Sequence, residues 1–193
     1  MEIVPCSEES MVRAANLLKN GGVVVIPTDT VYGLAAHPSH PEAVKRLYTI
    51  KGREESKPIA FLAANKESVL SYGAKMTSNV KSLAESYWPG ALTLVLECKD
   101  GVYEGFRVPN HNFTSRLLIL CGGVLRVTSA NLSGKRPATD VPQALAEIGL
   151  NADMILDDGV SPGGVPSTVV KAMRDGEIEV LRQGAIEISP DSK

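Results

Sequence analysis

Four consecutive β-favouring residues, Val23-Val24-Val25-Ile26, stand between Gly21-Gly22 and Pro27. Such a run reads as a buried strand, and Pro27, which has no N–H for a sheet ladder, ends it. Thr28-Asp29-Thr30-Val31-Tyr32-Gly33-Leu34 follows, with three hydroxyls and a carboxylate ahead of a glycine. A strand emptying into such a cluster brings polar groups to the rim of a sheet, where α/β proteins bind ligands. The same residues also suit an ordinary strand-to-turn junction.

Further elements follow from local pattern. Glu2 to Pro5 suits a short strand, and Ser7 with Glu8 and Glu9 opens a helix whose apolar stripe is Met11, Ala14, Ala15 and Leu18. Pro41 opens a second helix, which carries Val44, Leu47, Tyr48 and Ile50 and stops at Lys51-Gly52-Arg53. Strands are predicted over 58–63, 91–98, 106–109, 124–128, 154–156, 168–172 and 177–181. Helices are predicted over 67–70, 78–87, 115–120 and 141–148, the last capped by Asp140 or Thr139. Asp175-Gly176 signals a hairpin between the last two strands. Interleaved helices and strands that close on an antiparallel hairpin point to an α/β fold around a mixed parallel/antiparallel twisted sheet. With 193 residues, 44% of them hydrophobic, the expectation is one domain over 1–193, fraying after about residue 187.

Composition narrows the function classes. Lys and Arg number 20 against 22 Asp and Glu, so any nucleic-acid site must be a local patch. Cys6, Cys98 and Cys121 are odd in number and widely spaced, which suits a reduced, cytoplasmic protein. No apolar run approaches membrane-spanning length, so no membrane partner is expected. His37, His40 and His111 lack metal-type spacing and suit loops or surface.

Two polar clusters remain. Lys51-Gly52-Arg53 with Lys57 places three cations within seven residues. They suit a helix C-terminus or, inside a shielded cleft, a phosphate site. Ser129-Ala130-Asn131-Leu132-Ser133-Gly134 is either a self-bonded turn or a set of neutral donors for phosphate oxygens. Neither a Walker loop nor a dinucleotide fingerprint is present. No Ser/His/Asp set or reactive-cysteine motif occurs either. An enzyme of this composition works by positioning and charge stabilisation, as in nucleotidyl transfer.

The order of these segments carries more than any one of them. Pro27 to Leu34 is followed by Lys51-Gly52-Arg53 with Lys57-Pro58, Trp88-Pro89-Gly90-Ala91-Leu92-Thr93 and Arg107-Val108-Pro109. Ser129 to Gly134, Ser167-Thr168-Val169-Val170 and Leu181-Arg182-Gln183-Gly184 complete the series. This order resembles the YrdC-like family of threonylcarbamoyl-AMP synthases over about residues 7–186. The resemblance implies a twisted sheet with a deep basic groove. It implies the reaction of L-threonine, bicarbonate or CO2, and ATP to L-threonylcarbamoyl-AMP and pyrophosphate, with magnesium accompanying ATP. It also implies a partner tRNA threonylcarbamoyl-transferase machinery acting at tRNA position 37.

By the same resemblance, Lys51 and Arg53 are the catalytic pair. Lys51, Arg53, Lys57, Thr93, Ser129, Asn131 and Arg182 bind ATP, with no metal ligand among the side chains. Thr30, Tyr32, Arg107 and Ser167 bind threonine, Arg107 taking its carboxylate; a hydroxyl-reading site of this kind would reject valine-like analogues. Phe61-Leu62 stands where several relatives carry a histidine. Two other readings share parts of this pattern. One is a module that binds tRNA or double-stranded RNA in the groove without catalysis, disfavoured by an aromatic content of 5%. The other is the carbamoyl-transfer domain of hydrogenase-maturation proteins.

Overall fold

The structure, a computed structural model, describes residues 1–174 and 176–188, and the side chain of Asp100 is not described. Along the chain it runs β1 (Glu2–Pro5), α1 (Glu8–Lys19), β2 (Val23–Ile26), β3 (Gly33–Ala36), α2 (Pro41–Lys51), β4 (Phe61–Ala63), α3 (Lys66–Tyr72) and α4 (Ser78–Tyr87). It continues through β5 (Leu92–Glu97), a short 3-10 turn (Lys99–Gly101), β6 (Tyr103–Arg107), α5 (Asn112–Leu120), β7 (Val124–Ser129) and α6 (Val141–Ile148). β8 (Met154–Asp157), β9 (Thr168–Ala172) and β10 (Ile178–Arg182) close the fold.

The strands form one ten-stranded sheet in the order β1-β8-β2-β3-β7-β4-β6-β5-β9-β10. β1/β8, β8/β2, β4/β6 and β5/β9 run parallel; β2/β3, β3/β7, β7/β4, β6/β5 and β9/β10 run antiparallel. The mixed sheet expected from the sequence is therefore present.

Local chemistry sets the element ends. The Ser7 hydroxyl accepts from the Ser10 amide at 3.1 Å while the Ser10 hydroxyl accepts from the Ser7 amide at 2.9 Å, a reciprocal cap on α1. The Asp140 carboxylate accepts from the Gln143 amide at 2.8 Å and caps α6. Gly52 ends α2 at φ 57°, left-handed backbone that a side chain would strain.

Packing explains why β2 is apolar throughout. Val24 and Ile26 share a cluster with Met11 and Leu18 of α1 and Leu117 and Leu118 of α5. Val23 and Val25 share another with Leu47 of α2 and Val141, Ala144 and Ile148 of α6. Both faces of this half of the sheet are covered. In the other half, Leu92, Leu94, Leu96 and Phe106 pack with Val69 of α3 and with Val80 and Ala84 of α4. Each buried leucine contributes about 1.5–3 kcal/mol. Because strand side chains alternate, Thr93 and Val95 face away from that core, onto an uncovered face of the sheet that opens as a cavity.

Several expectations need correction. β3 was not foreseen, and residues 58–60 are not strand. This stretch leads into β4 beside β7: the Ile59 carbonyl accepts from Arg126 Nη1 at 2.6 Å and the Ala60 carbonyl from the Val127 amide at 3.0 Å. β6 begins at Tyr103, earlier than expected. The last hairpin pairs as foreseen, with a bulge between Val180 and Arg182; Asp175 lies outside the described residues. Ile188 is buried in the third cluster, so fraying does not begin at residue 187, and 189–193 lie outside the described residues. The three histidines do lie in loops, as expected, and each makes a bond there. His111 Nδ1 caps α5, and His37 and His40 bond the carbonyls of Cys121 and Lys19 near the ends of α5 and α1.

Candidate functional site

The cavity holds about 540 Å³, room for a nucleotide and a small amino acid by the usual range of ligand sites. Its walls come from the Thr28–Gly33 turn, the loop from Arg53 to Ala60, alternate residues of β5, β6 and β9, the end of β7, and Leu181 with Arg182. Arg53, Arg107, Lys135 and Arg182 line it, and no carboxylate does among the described residues. Anions are therefore its natural occupants, held where partial exclusion of water strengthens charge pairing.

The opening turn is built by its own hydroxyls. Thr28 Oγ1 donates to the Val31 carbonyl at 2.7 Å and accepts from the amides of Thr30 (3.1 Å) and Val31 (3.3 Å). Thr28 thus shapes the turn. Thr30 Oγ1 accepts from Arg107 Nη1 at 2.7 Å. Arg107, 7% exposed, also donates from Nε to the Gly90 carbonyl at 2.9 Å and from Nη2 to Asp29 Oδ1. Burial lowers its pKa and the Asp29 charge opposes that shift, so Arg107 remains a cation. Three of its five N–H donors are engaged, which leaves two for a ligand.

Tyr32, among the residues around the cavity, is fully buried and packs with Val23, Val25 and Leu47. Its hydroxyl donates to the Gly159 carbonyl at 2.7 Å and accepts from the Asp158 amide at 3.0 Å. Burial pushes this phenol up to about 12. The hydroxyl is thus committed to the backbone that follows β8.

Across the cavity, Thr93 Oγ1 and Ser167 Oγ lie 2.7 Å apart. Arg182 Nη2 donates to the Ser167 carbonyl at 2.7 Å. Shielding by the protein and then the charge of nearby Arg53 lower the Arg182 pKa, the mark of two like charges brought together. The bulge in β10 re-aims Arg182 toward this spot. Beyond it the chain folds back. Buried Thr168 Oγ1 accepts from the amides of Gly184 (3.0 Å) and Ile186 (3.1 Å) and donates to the Ile186 carbonyl at 2.5 Å. A Cβ on Gly184 would come 2.3 Å from the Pro166 carbonyl, so only glycine passes there.

Lys51 differs from its expected place. It is 3% exposed and absent from the lining; its Nζ donates to the carbonyls of Ser129 at 2.5 Å and Asn131 at 2.6 Å, behind residues that do line the cavity. Burial, then the charge of Arg53, lowers its pKa to about 8. Lys57 also lies outside: its ammonium pairs with Glu54 at 3.2 Å on the surface, and its carbonyl accepts from Arg53 Nε at 2.9 Å. The structure therefore brings Arg53, Thr93, Ser129, Asn131, Arg182, Thr30, Tyr32, Arg107 and Ser167 to one cavity, with Lys51 behind it and the Lys57 ammonium on the surface.

Sequence reading missed Asp29, Lys135 and Tyr103. Lys135, next to Gly134 at the end of the second polar cluster, was the most findable. Leu62 is 5% exposed and lines the cavity, giving it a stretch of apolar wall. The thiols offer no nucleophile: burial raises Cys98 and pushes Cys6 up to about 12 and Cys121 up to about 11. No cluster of three or more His, Cys, Asp or Glu suited to a metal exists among the described residues. No described helix is long and apolar enough to cross a membrane.

Comparisons with known proteins agree on one neighbourhood. The Sua5/YciO/YrdC family model, described as telomere recombination, matches residues 16–184. A putative threonylcarbamoyl-AMP synthase of Methanocaldococcus jannaschii is 32% identical, covering 97% of this chain and 94% of its own length. The threonylcarbamoyl-AMP synthase of Bacillus subtilis is 32% identical over 93% of this chain. The crystal structure of Pyrococcus abyssi Sua5 complexed with L-threonine superposes with TM-score 0.86 at 31% identity over 95% of this chain. This chain spans 55% and 57% of those last two proteins.

Proposed function

The chain belongs to the Sua5/YciO/YrdC family, and on that footing we propose that it is an L-threonylcarbamoyl-AMP synthase. Its substrates are L-threonine, bicarbonate or CO2, and ATP; its products are the adenylate and pyrophosphate. The observation that carries this reading is the cavity itself: among the described residues it is lined by four cationic residues and no carboxylate, and one of the four, buried Arg107, has two donors to spare.

The chemistry asks for that arrangement. The threonine amine attacks the carbon of CO2, forming an N–C bond and losing a proton, to give a carbamate. A carbamate oxygen then attacks the α-phosphorus of ATP as the bond to the β-phosphate oxygen breaks and pyrophosphate leaves. Two anions must approach, and negative charge grows on the leaving group. Fixed cations lower that barrier more than a protein nucleophile would.

In this reading Arg107 and Thr30 hold the threonine carboxylate and orient the amino acid, with Ser167 beside them and Tyr32 supporting the turn from below. Arg53 and Arg182 hold the triphosphate and the departing pyrophosphate; Thr93, Ser129, Asn131 and Lys135 complete the nucleotide site. Lys51 acts through Ser129 and Asn131, whose carbonyls it holds, and Lys57 acts through Arg53. Both are positioning residues. Magnesium enters with the nucleotide as part of the substrate, since the described lining offers it no carboxylate.

We further propose that the product passes to a tRNA threonylcarbamoyl-transferase in the cytoplasm, and that the cationic mouth of the cavity is where tRNA would approach. Pyrophosphate release from ATP, measured with and without threonine and bicarbonate, tests the reading: release that requires both supports it, and release indifferent to threonine overturns it.

A further inference from the structure

We infer that Asp29 is a positioning residue for amino-acid recognition, acting through Arg107. This rests on the threonine reading of the cavity and goes beyond it, because Asp29 does not itself line the cavity.

Three features meet at this residue. Its carboxylate accepts from Arg107 Nη2, and the pair is well shielded, with side-chain exposures of 9% for Arg107 and 14% for Asp29. The Arg107 guanidinium is thereby held along three edges, by Gly90 at Nε, Thr30 at Nη1 and Asp29 at Nη2. A planar fork fixed this way cannot swing, and its two remaining donors keep one direction. The backbone carrying Asp29 is braced from the other side. The Gly164 amide donates to the Thr30 carbonyl at 2.8 Å, and Gly163 passes so close that a Cβ there would lie 2.6 Å from the Asp29 carbonyl oxygen and 3.0 Å from Thr30 Cα. The turn is thus clamped between the loop after β8 and Arg107, with the side chain of Asp29 pointing at the guanidinium.

The physical consequence concerns binding order and orientation rather than chemistry. Without Asp29, Arg107 keeps its charge but loses one of three restraints. An incoming carboxylate then has to order the guanidinium itself, and it does so at a cost in affinity. The acceptor oxygen matters more than the net charge, because orientation comes from the hydrogen bond.

The test uses the full chain and threonine-dependent pyrophosphate release. Asp29→Ala is expected to raise the threonine KM about tenfold, the equivalent of one charge-assisted hydrogen bond, with kcat and the ATP KM little changed. Asp29→Asn, which keeps an acceptor oxygen at the same reach, is expected to recover most of the loss. Titration of threonine alone by calorimetry reads the same order of affinities without turnover and serves if either variant turns over poorly. An unchanged threonine affinity in Asp29→Ala overturns the inference, and so does an Asp29→Asn variant no better than Asp29→Ala. Failure of the wild-type chain to release pyrophosphate in response to threonine would instead overturn the functional reading, so the two failures are told apart.

Discussion

Replacing Lys51 by methionine sets two opposing effects against each other, and pH separates them. The substitution keeps the length and apolar stem of the side chain but removes the donors that satisfy the Ser129 and Asn131 carbonyls at 2.5 and 2.6 Å. A buried acceptor left without a partner costs about 1–3 kcal/mol, so two cost roughly 2–6 kcal/mol. Against this, the ammonium of Lys51 is itself poorly solvated, and its pKa falls from 10.5 to about 8. The unfolded chain therefore binds that proton more tightly than the folded one. Stability contributed by Lys51 rises as pH climbs from about 8 to about 10.5. At ~1.4 kcal/mol per pH unit, the rise is on the order of 3 kcal/mol. The neutral amine has two N–H groups, enough for both short bonds. Lys51→Met should consequently be only modestly less stable than wild type near pH 7, and the gap should widen by about 2–3 kcal/mol by pH 10. Urea denaturation of both proteins across that range, followed by circular dichroism, measures it. A gap that stays constant with pH would refute the assignment of a depressed, buried lysine at this position.

Other outcomes follow from the same geometry. Arg53→Ala should raise the ATP KM about tenfold or more, as expected for one lost charge-assisted contact to phosphate, while leaving the threonine KM near wild type; steady-state pyrophosphate release separates the two. Thr168→Val removes the hydroxyl that serves the amides of Gly184 and Ile186. It should destabilise the fold by about 2–4 kcal/mol, read as a lowered urea midpoint. Because Arg182 rests on neighbouring Ser167, the same variant should also weaken ATP binding in calorimetry.

Much of this was legible in the chain because local chemistry decided it. Val23–Ile26, the Ser7 cap, Pro41 at the start of α2 and the αL Gly52 at its end each announce themselves within a few residues. β3 was missed because Gly33-Leu34-Ala35-Ala36 contains no β-branched residue; it is a strand because β2 and β7 flank it, and a Cβ at Gly33 would come 2.6 Å from Val127 Cγ1. Pro58-Ile59-Ala60 looked like strand because of its apolar composition, yet only Ile59 is buried there. The cavity residues were recognisable as a set through the order of their motifs, but their partners were not. Nothing in Lys51-Gly52-Arg53 tells that the lysine turns inward to two carbonyls some 80 residues away. Nor does Asp29 reveal that its partner is Arg107, on a strand separated from it by 78 positions. Those pairings are set by sheet order, which local sequence does not encode.

The central claim is that this cavity joins threonine, one carbon from bicarbonate and the AMP moiety of ATP. Incubating the protein with ATP, L-threonine and carbon-13 bicarbonate, then analysing the products by mass spectrometry, tests it most directly. The account predicts a threonylcarbamoyl-adenylate carrying one heavy carbon, formed in step with pyrophosphate and absent when threonine is left out. An adenylate without the label, or pyrophosphate released with no such adduct, would contradict it.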